Sequence, residues 1–170
     1  MRENRLKKDI TIDIADLREK DVIRNLYTLY LHDLSQFTDD NDIDENGVFI
    51  WDSEELYWEK NSLYPLIVKY KDKVIGFLLF SEPPYVKEGC DYCIQEFFIL
   101  RKYREKGLGR EVINILFKKY KGRYSLLVLE NNKKALKFWR NIYKQNNLKY
   151  EEDIMNLDEN VCYYHTFKIE

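Results

Sequence analysis

The stretch that decides the fold is Glu96-Phe97-Phe98-Ile99-Leu100-Arg101-Lys102-Tyr103-Arg104-Glu105-Lys106-Gly107-Leu108-Gly109-Arg110. Its apolar first part closes a β-rich run at 92–100, and apolar residues at helical spacing follow from 107 to 120. The pattern predicts a strand that enters a helix through a short basic loop. Glycines let backbone N–H groups approach an anion closely, and a helix N-terminus adds partial positive charge. A tight turn with a solvated basic face explains the loop equally well.

Two widespread phosphate-binding loops do not fit this stretch. The dinucleotide fingerprint needs three glycines as G-x-G-x-x-G after a first strand, whereas this loop contains only Gly107 and Gly109. The nucleotide-triphosphate loop ends in G-K-[ST], and no such tripeptide occurs in the sequence. A Rossmann dehydrogenase and a P-loop nucleotide triphosphatase are therefore disfavoured.

Downstream of the loop, the sequence predicts a strand, a helix and a closing hairpin. The strand occupies 124–129, and Gly122 before it is placed where a helix C-cap is expected. Asn132 suits the N-cap of the next helix. The segments 149–155 and 161–169 are typical of a hairpin. The helix carries an apolar stripe at i, i+3, i+4, i+7 and i+8, formed by Ala135, Phe138, Trp139, Ile142 and Tyr143.

Upstream of the loop, the pattern predicts a strand at 10–14, a helix over 18–34 and a polar loop at 38–47. Asp52 and Glu55 have capping-box spacing, which predicts a short helix through Lys60. The β-rich runs 63–70 and 74–80 predict an antiparallel hairpin. The element order indicates one mixed α/β domain, 1–170. A doubly wound parallel sheet would need strands and helices that alternate throughout.

Composition narrows the function classes. The 170 residues are 45% apolar and 34% charged, as in a soluble globular protein. The net charge of −2 shows no basic face, so we expect no nucleic-acid partner. No apolar run approaches the ~18–20 residues of a membrane helix, so we expect no membrane segment. The charged N-terminus is unlike a secretory signal and three cysteines suit a reducing compartment, which together predict the cytoplasm.

A resemblance to a known family rests on two motifs. Residues 99–109 resemble the strand and R/Q-x-x-G-x-G/A loop of the GNAT superfamily, the Gcn5-related N-acetyltransferases. Residues 132–139 resemble its N-x-x-A-x-x-[FL]-Y helix at the family's spacing, and the combination with 96–100 resembles a bacterial subgroup of predicted acetyltransferases of unknown acceptor. The resemblance covers 92–143 and implies a mixed, mostly antiparallel sheet of about seven strands with about four helices. Strands 4 and 5 of that fold are parallel and splayed.

The resemblance also implies a cofactor and a reaction. Acetyl-CoA, as co-substrate, would lie between the splayed strands, and no metal is implied. Its acetyl group would pass directly, in a ternary complex, to an amine of a small molecule or peptide. The protein would act as a monomer or homodimer. The pantetheine would contact the backbone of Phe97, Phe98 and Ile99 together with Asn132 and Trp139. The pyrophosphate would lie on Arg104, Glu105, Lys106, Gly107, Leu108, Gly109 and Arg110.

Two residues are candidates for proton transfer. Glu96 is the candidate base, because a carboxylate among apolar neighbours is desolvated. A structural salt bridge or an anchor for a substrate cation is the equal alternative. The tyrosine that serves the family as acid aligns with Trp139, whose indole N–H donates hydrogen bonds but is not a usable acid. Tyr143 lies one turn further on the same helical face and is the candidate replacement, with core packing as the alternative.

Several remaining features have a structural and a functional interpretation. The acidic segment 38–47 is a solvated loop, or it attracts a cationic amine if it overhangs the acceptor cleft. His32-Asp33 suits the end of the first helix, with a role on the substrate side as the alternative. Trp51, Tyr57 and Trp58 either wall that cleft or pack on the sheet. Buried thiols are favoured over a zinc site for the set Cys90, Cys93, Cys162 and His165.

Two other functions stay open beside the enzyme. The unusual Trp139 is compatible with a non-catalytic module that binds or senses acyl-CoA. The basic loop alone is compatible with a small domain that binds another phosphate ligand or a protein partner.

Overall fold

The computed structural model describes residues 9–157 and 159–170, and within them seven strands form one sheet flanked by four α-helices. The N-terminal segment 1–8, from which a non-secretory start was predicted, lies outside the described residues. No helix in the described part of the chain is long and apolar enough to cross a membrane. The strands are β1 Ile10–Ile14, β2 Leu63–Tyr70, β3 Lys73–Ser81, β4 Tyr92–Ile99, β5 Gly122–Leu129, β6 Tyr150–Leu157 and β7 Asn160–Ile169. The helices are α1 Lys20–Leu34, α2 Leu56–Glu59, α3 Leu108–Lys119 and α4 Lys133–Gln145, with short 3₁₀ turns at Leu17–Glu19 and Arg101–Tyr103.

The sheet opens between its two central strands. The strand order is β1-β2-β3-β4-β5-β7-β6, and only the β4–β5 pair is parallel. That pair is joined at just two positions, Tyr92 with Tyr124 and Cys93 with Ser125. Beyond Cys93, β4 pairs only with β3 and β5 only with β7, so the facing backbone edges of β4 and β5 are unpaired. The predicted mixed sheet with a splayed parallel pair is confirmed, and the splay leaves a backbone-lined gap.

A β-bulge lies in β4 where the gap begins. Leu79 pairs with Glu96 and Phe80 pairs with Ile94, which leaves Gln95 without a partner on β3. A bulge of one extra residue turns the strand locally, so two consecutive side chains project toward the same face. Gln95 and Glu96 accordingly both reach the tyrosines of the α1 and α2 side. An unbroken strand would have sent one of them to the opposite face.

Two apolar clusters hold the helices to opposite faces of the sheet. α3 and α4 bury Val112, Leu116 and Ile142 in the larger cluster. α1 and α2 cover the other face with a smaller cluster that includes Ile23 and Phe77. Full burial of an aliphatic or aromatic side chain of this kind stabilises the fold by about 1.5–3 kcal/mol. The two clusters thereby fix the strands and helices on both faces of the sheet.

Two predictions about helix ends are wrong. The capping box lies at Asp16 and Glu19, ahead of α1, and not at Asp52 and Glu55. Glu55 does precede α2, but its carboxylate binds the Lys20 Nζ at 2.6 Å instead of reaching back along its own chain.

Gly122 is also not a helix cap, because α3 ends at an extended Tyr120. Gly122 instead begins β5 with φ +148°, where a Cβ would meet Asp91 Oδ2 at 2.6 Å. The same Asp91 Oδ2 accepts the Arg123 N–H at 2.7 Å, so the glycine makes room for this contact between β5 and the residue before β4.

Candidate active site

The loop after β4 presents backbone N–H groups at the start of α3. Gly107 precedes the helix in a left-handed conformation with φ +79°, which an L-residue adopts only at a cost. Gly107 makes no side-chain cap hydrogen bond within the described residues, and the first backbone N–H groups of α3 lie at the positive end of the helix dipole. At Gly109 a Cβ would lie 3.4 Å from the Phe138 ring and 3.7 Å from the Phe97 ring. The loop therefore runs close to α4, as an anion site beside the gap requires.

The two arginines before the glycines bind Asp33 at the end of α1. Arg104 donates to Ile99 O at 2.6 Å and to Asp33 Oδ2 at 2.5 Å, and its guanidinium lies over the Phe98 ring. Arg101 also binds Asp33. Burial raises the pKa of Asp33, but the hydrogen bonds from the two arginines outweigh it and leave that pKa below its usual value. In this structure the Arg104 side chain, predicted to face a phosphate, joins the loop to the end of α1.

The walls of the gap contain the residues predicted to contact pantetheine. Phe97 faces α4, with ring centroids 5.8 Å from Phe138 and 6.4 Å from Trp139. Phe98 faces α1 on the other side of the sheet. The predicted N-cap is confirmed, because Asn132 Oδ1 accepts the Ala135 N–H at 3.1 Å. Strand, loop and helix thus converge at one end of the gap.

Glu96 occupies the opposite side of β4 from α4. Its side chain is partly buried, and the Tyr30 hydroxyl donates to its Oε2. Burial raises the pKa of Glu96 to about 7, although the Tyr30 hydrogen bond acts in the opposite direction. The Tyr57 hydroxyl donates to Gln95 Oε1. A carboxyl that titrates near neutrality beside a backbone-lined gap is suited to general-base work.

Trp139, at the position of the family's acid, and Tyr143, its candidate replacement, are both buried but contact different parts of the fold. Trp139 packs against Phe97 and retains 7% exposure. Tyr143 is only 1% exposed, and its hydroxyl lies 2.9 Å from His165 Nδ1. Burial also raises the pKa of Tyr143 far above its usual value. The structure therefore brings Trp139 toward β4 and places the Tyr143 hydroxyl in a core contact with β7.

The acidic segment after α1 borders the carboxyl end of β5. Asn131, which follows β5, donates to Phe37 O at 2.6 Å, and Asn160 at the start of β7 donates to Asp40 Oδ2 at 2.5 Å. Two of the aromatic residues that follow this segment pack against the fold: Tyr57 is buried, and the Trp51 ring stacks on the Tyr27 ring with centroids 4.2 Å apart. The start of the segment is thus held against the end of β5 and the start of β7.

The cysteines form no metal site in the part of the chain that is described. Residues 9–157 and 159–170 contain no group of three or more His, Cys, Asp or Glu side chains placed to hold an ion. Cys90, Cys93 and Cys162 are free thiols. Burial raises the pKa of Cys93 to about 11, so the thiol is a protonated packing group.

Sequence analysis missed the partners of the site residues. The spacing of apolar residues in 18–34 places Tyr30 in the buried stripe of α1 without a partner, and Asp33 was assigned to the end of that helix or to the substrate side. Both contacts join residues more than 60 positions apart, Tyr30 to Glu96 and Asp33 to Arg101. The signal in the sequence was a tyrosine on the packed side of α1, because a tyrosine hydroxyl near a core usually has a hydrogen-bond partner.

Comparisons with known proteins agree with this geometry. The acetyltransferase (GNAT) family profile matches residues 23–142, more than half of the chain. A histone acetyltransferase HPA2-related structure from Corynebacterium glutamicum superposes with a TM-score of 0.70 at 10% identity, covering 95% of this chain and 97% of that one. No curated protein is significantly similar in sequence.

Two further structures of the same fold carry ligands. Salmonella typhimurium yncA, with its cofactor acetyl-CoA, gives a TM-score of 0.62 at 11% identity over 95% of each chain. Arabidopsis thaliana Naa50, in complex with a bisubstrate analogue, gives 0.56 at 16% identity over 93% of this chain and 97% of that one. At these identities the structures establish the fold, and the family profile establishes the membership. The chain belongs to the GNAT acetyltransferase family and is an acyltransferase.

Proposed function

We propose that the chain transfers an acetyl group from acetyl-CoA to an amine of a small molecule or peptide, directly and in a ternary complex. The observation that carries the proposal is the position of Glu96. This carboxyl, with a pKa of about 7, lies on β4 beside the unpaired edges of β4 and β5. The loop that follows β4 leads to the N-terminus of α3, where Gly107 makes no side-chain cap.

The residues around the gap fit acetyl-CoA. Backbone amides from Glu105 to Arg110 would hold the pyrophosphate, where Gly107 and Gly109 leave room for close approach. At Phe97, Phe98 and Ile99 the backbone edge of β4 that faces β5 is unpaired, and the pantetheine would pair with that edge as an added strand would. Asn132 and Trp139 would border the same arm. Similar folds hold acetyl-CoA in yncA and a CoA-peptide analogue in Naa50, which supports this assignment.

Glu96 would take the proton that the amine loses. When bound, acetyl-CoA supplies a thioester, whose carbonyl carbon forms the new C–N bond as the C–S bond breaks. Glu96, directly or through one water, accepts the N–H proton, and its pKa near 7 matches the pH at which the carboxylate must be available. A thiol has a pKa of about 8.5, so the leaving thiolate needs little assistance. The Trp139 indole N–H would donate a hydrogen bond to the sulfur.

The setting of this activity follows from the same features. The free thiols Cys90, Cys93 and Cys162 suit a reducing compartment, which supports the cytoplasm. The resemblance to a bacterial subgroup supports a bacterial source. The protein would act as a monomer or a homodimer. The acceptor class is left to experiment.

Release of CoA thiol over a panel of amines tests the proposal. The panel contains polyamines, an aminoglycoside, lysine and peptides with free N-termini, and the mass of each product reports whether one acetyl group was gained. Acetyl transfer to at least one amine, slowed by about 100-fold or more in Glu96→Gln, is the expected result. Tight CoA binding with no transfer to any amine would instead establish the non-catalytic acyl-CoA-binding module that Trp139 makes the second candidate. No thermal shift with millimolar CoA would remove the cofactor assignment.

A further inference from the structure

The carboxylate of Glu96 is held from α1. Its Oε2 accepts the Tyr30 hydroxyl, and no other side chain in residues 9–157 and 159–170 donates a hydrogen bond to this carboxylate. Tyr30 is also fixed by its ring, which packs against Phe77 and Phe98 at centroid distances of 6.0 and 6.2 Å. The hydroxyl therefore has a defined position that does not depend on a bound ligand.

The other titratable groups near Glu96 remain neutral. They are Tyr27 and Tyr30 on α1, Tyr57 on α2 and Cys93 on β4 itself. Burial raises the pKa of each, so near neutral pH the tyrosines act as hydrogen-bond donors and not as charges. No cation is among them, so Glu96 has no ion-pair partner, and the salt-bridge interpretation of this residue is not supported in the described chain.

We propose that Tyr30 is a positioning residue, which fixes the Glu96 carboxylate through Oε2 and so presents Oε1 to the acceptor amine or its water. The inference rests on the proposed function, because it assigns a task to the same base. A carboxylate held at one oxygen loses rotational freedom but keeps the second oxygen available as a proton acceptor.

The anchor of α1 gives this contact a further consequence. Asp33, which lies one turn after Tyr30 on the same helix, binds Arg101 and Arg104 of the loop after β4. The helix that holds the base is therefore tied to the loop proposed to hold the pyrophosphate. Because α1 is a continuous helix between the two contacts, it fixes the position of Glu96 relative to the loop after β4.

The test compares Tyr30→Phe with Tyr57→Phe. Both variants keep the buried ring and remove one hydroxyl, but Tyr57 donates to the neutral Gln95 and not to Glu96. Removing a donor from a carboxylate disfavours its charged form, so in Tyr30→Phe the acidic limb of the kcat/KM pH profile moves upward by about one pH unit. At pH 7 this shift lowers the ionised fraction of Glu96 from about one half to about one tenth, so kcat/KM falls by about fivefold, while the KM for acetyl-CoA is unchanged. In Tyr57→Phe the midpoint of the acidic limb remains at the wild-type position.

A ¹³C NMR titration of the Glu96 side-chain carboxyl gives a second readout that needs no acceptor. An upward shift of its midpoint in Tyr30→Phe alone supports the contact of Tyr30 with the Glu96 carboxylate, even if no amine on the panel is acetylated. Equal midpoints in wild type and Tyr30→Phe, or equal shifts in both variants, overturn it. Absence of acetyl transfer by the wild type, with the NMR shift present, contradicts the proposed function and leaves the Tyr30 contact established.

Discussion

Replacement of Glu96 by glutamine tests the desolvation of the candidate base. Burial raises the pKa of Glu96 from 4.5 to about 7, so between these values the folded protein binds a proton more tightly than the unfolded chain. The contribution of Glu96 to the free energy of unfolding is therefore complete below pH 4.5 and is lost as the pH rises through about 7. The rise in pKa corresponds to about 3 kcal/mol, which we reduce to about 2 kcal/mol because the side chain retains some solvent contact.

Urea denaturation of wild type and Glu96→Gln at pH 5 and pH 8 measures this difference. The wild type should lose about 2 kcal/mol more than the variant between the two pH values, since glutamine does not titrate. Glu88→Gln, at an exposed position, is the matched control. In acetyl transfer, Glu96→Gln should lower kcat/KM by about 100-fold or more with acetyl-CoA affinity retained. The same pH dependence in Glu96→Gln and wild type would refute the claim that the fold desolvates this carboxyl.

Substitutions at three further positions test the surroundings of the gap. Gly107→Asp should raise the Kd for acetyl-CoA at least about tenfold, as measured by calorimetry, because it places a negative charge against the pyrophosphate. In the control Gly107→Ala, the backbone strain at φ +79° costs about 1 kcal/mol of stability and no charge is added. Equal Kd values in both variants would contradict the loop assignment. Asp33→Asn should lower the free energy of unfolding by about 1–3 kcal/mol above pH 4, and the difference should shrink as the pH falls below 3.8, because the folded-state pKa of Asp33 is depressed. Tyr143→Phe should cost about 1–2 kcal/mol of stability by loss of the His165 contact but leave kcat within about twofold; a 100-fold fall in kcat would instead make Tyr143 the acid.

The parts of the fold that local patterns specify were predicted well. Periodicity and capping chemistry predict the bounds of β4, the start of α3 after Gly107 and the Asn132 cap. Each of these features depends on residues that are close together in the sequence. The splayed β4–β5 pair came from family resemblance, because pairing between strands that are separated by a helix leaves no local trace in one sequence.

The parts that tertiary contacts decide could not be predicted. Asp16 with Glu19 and Asp52 with Glu55 have the same spacing, and only the contact of Glu55 with Lys20 decides that the second pair is not a capping box. The bulge at Gln95 depends on the register with β3.

The same holds for the ionisable side chains of the site. A basic loop sequence does not show that Arg104 faces Asp33, which lies 71 positions away. The depth of Tyr143 likewise depends on where β7 places His165. In each case the residue type was identified from the sequence, whereas its partner was supplied by the fold.

A crystal structure with CoA bound tests the central claim most directly. The pyrophosphate should lie on the backbone amides between Glu105 and Arg110, and the pantetheine should fill the gap between β4 and β5 with its sulfur near Trp139. The Glu96 carboxylate should then lie within ~3 Å of the acceptor position, or one water away from it. CoA bound on another surface, or a gap closed by additional β4–β5 pairing in the complex, would contradict the proposed site.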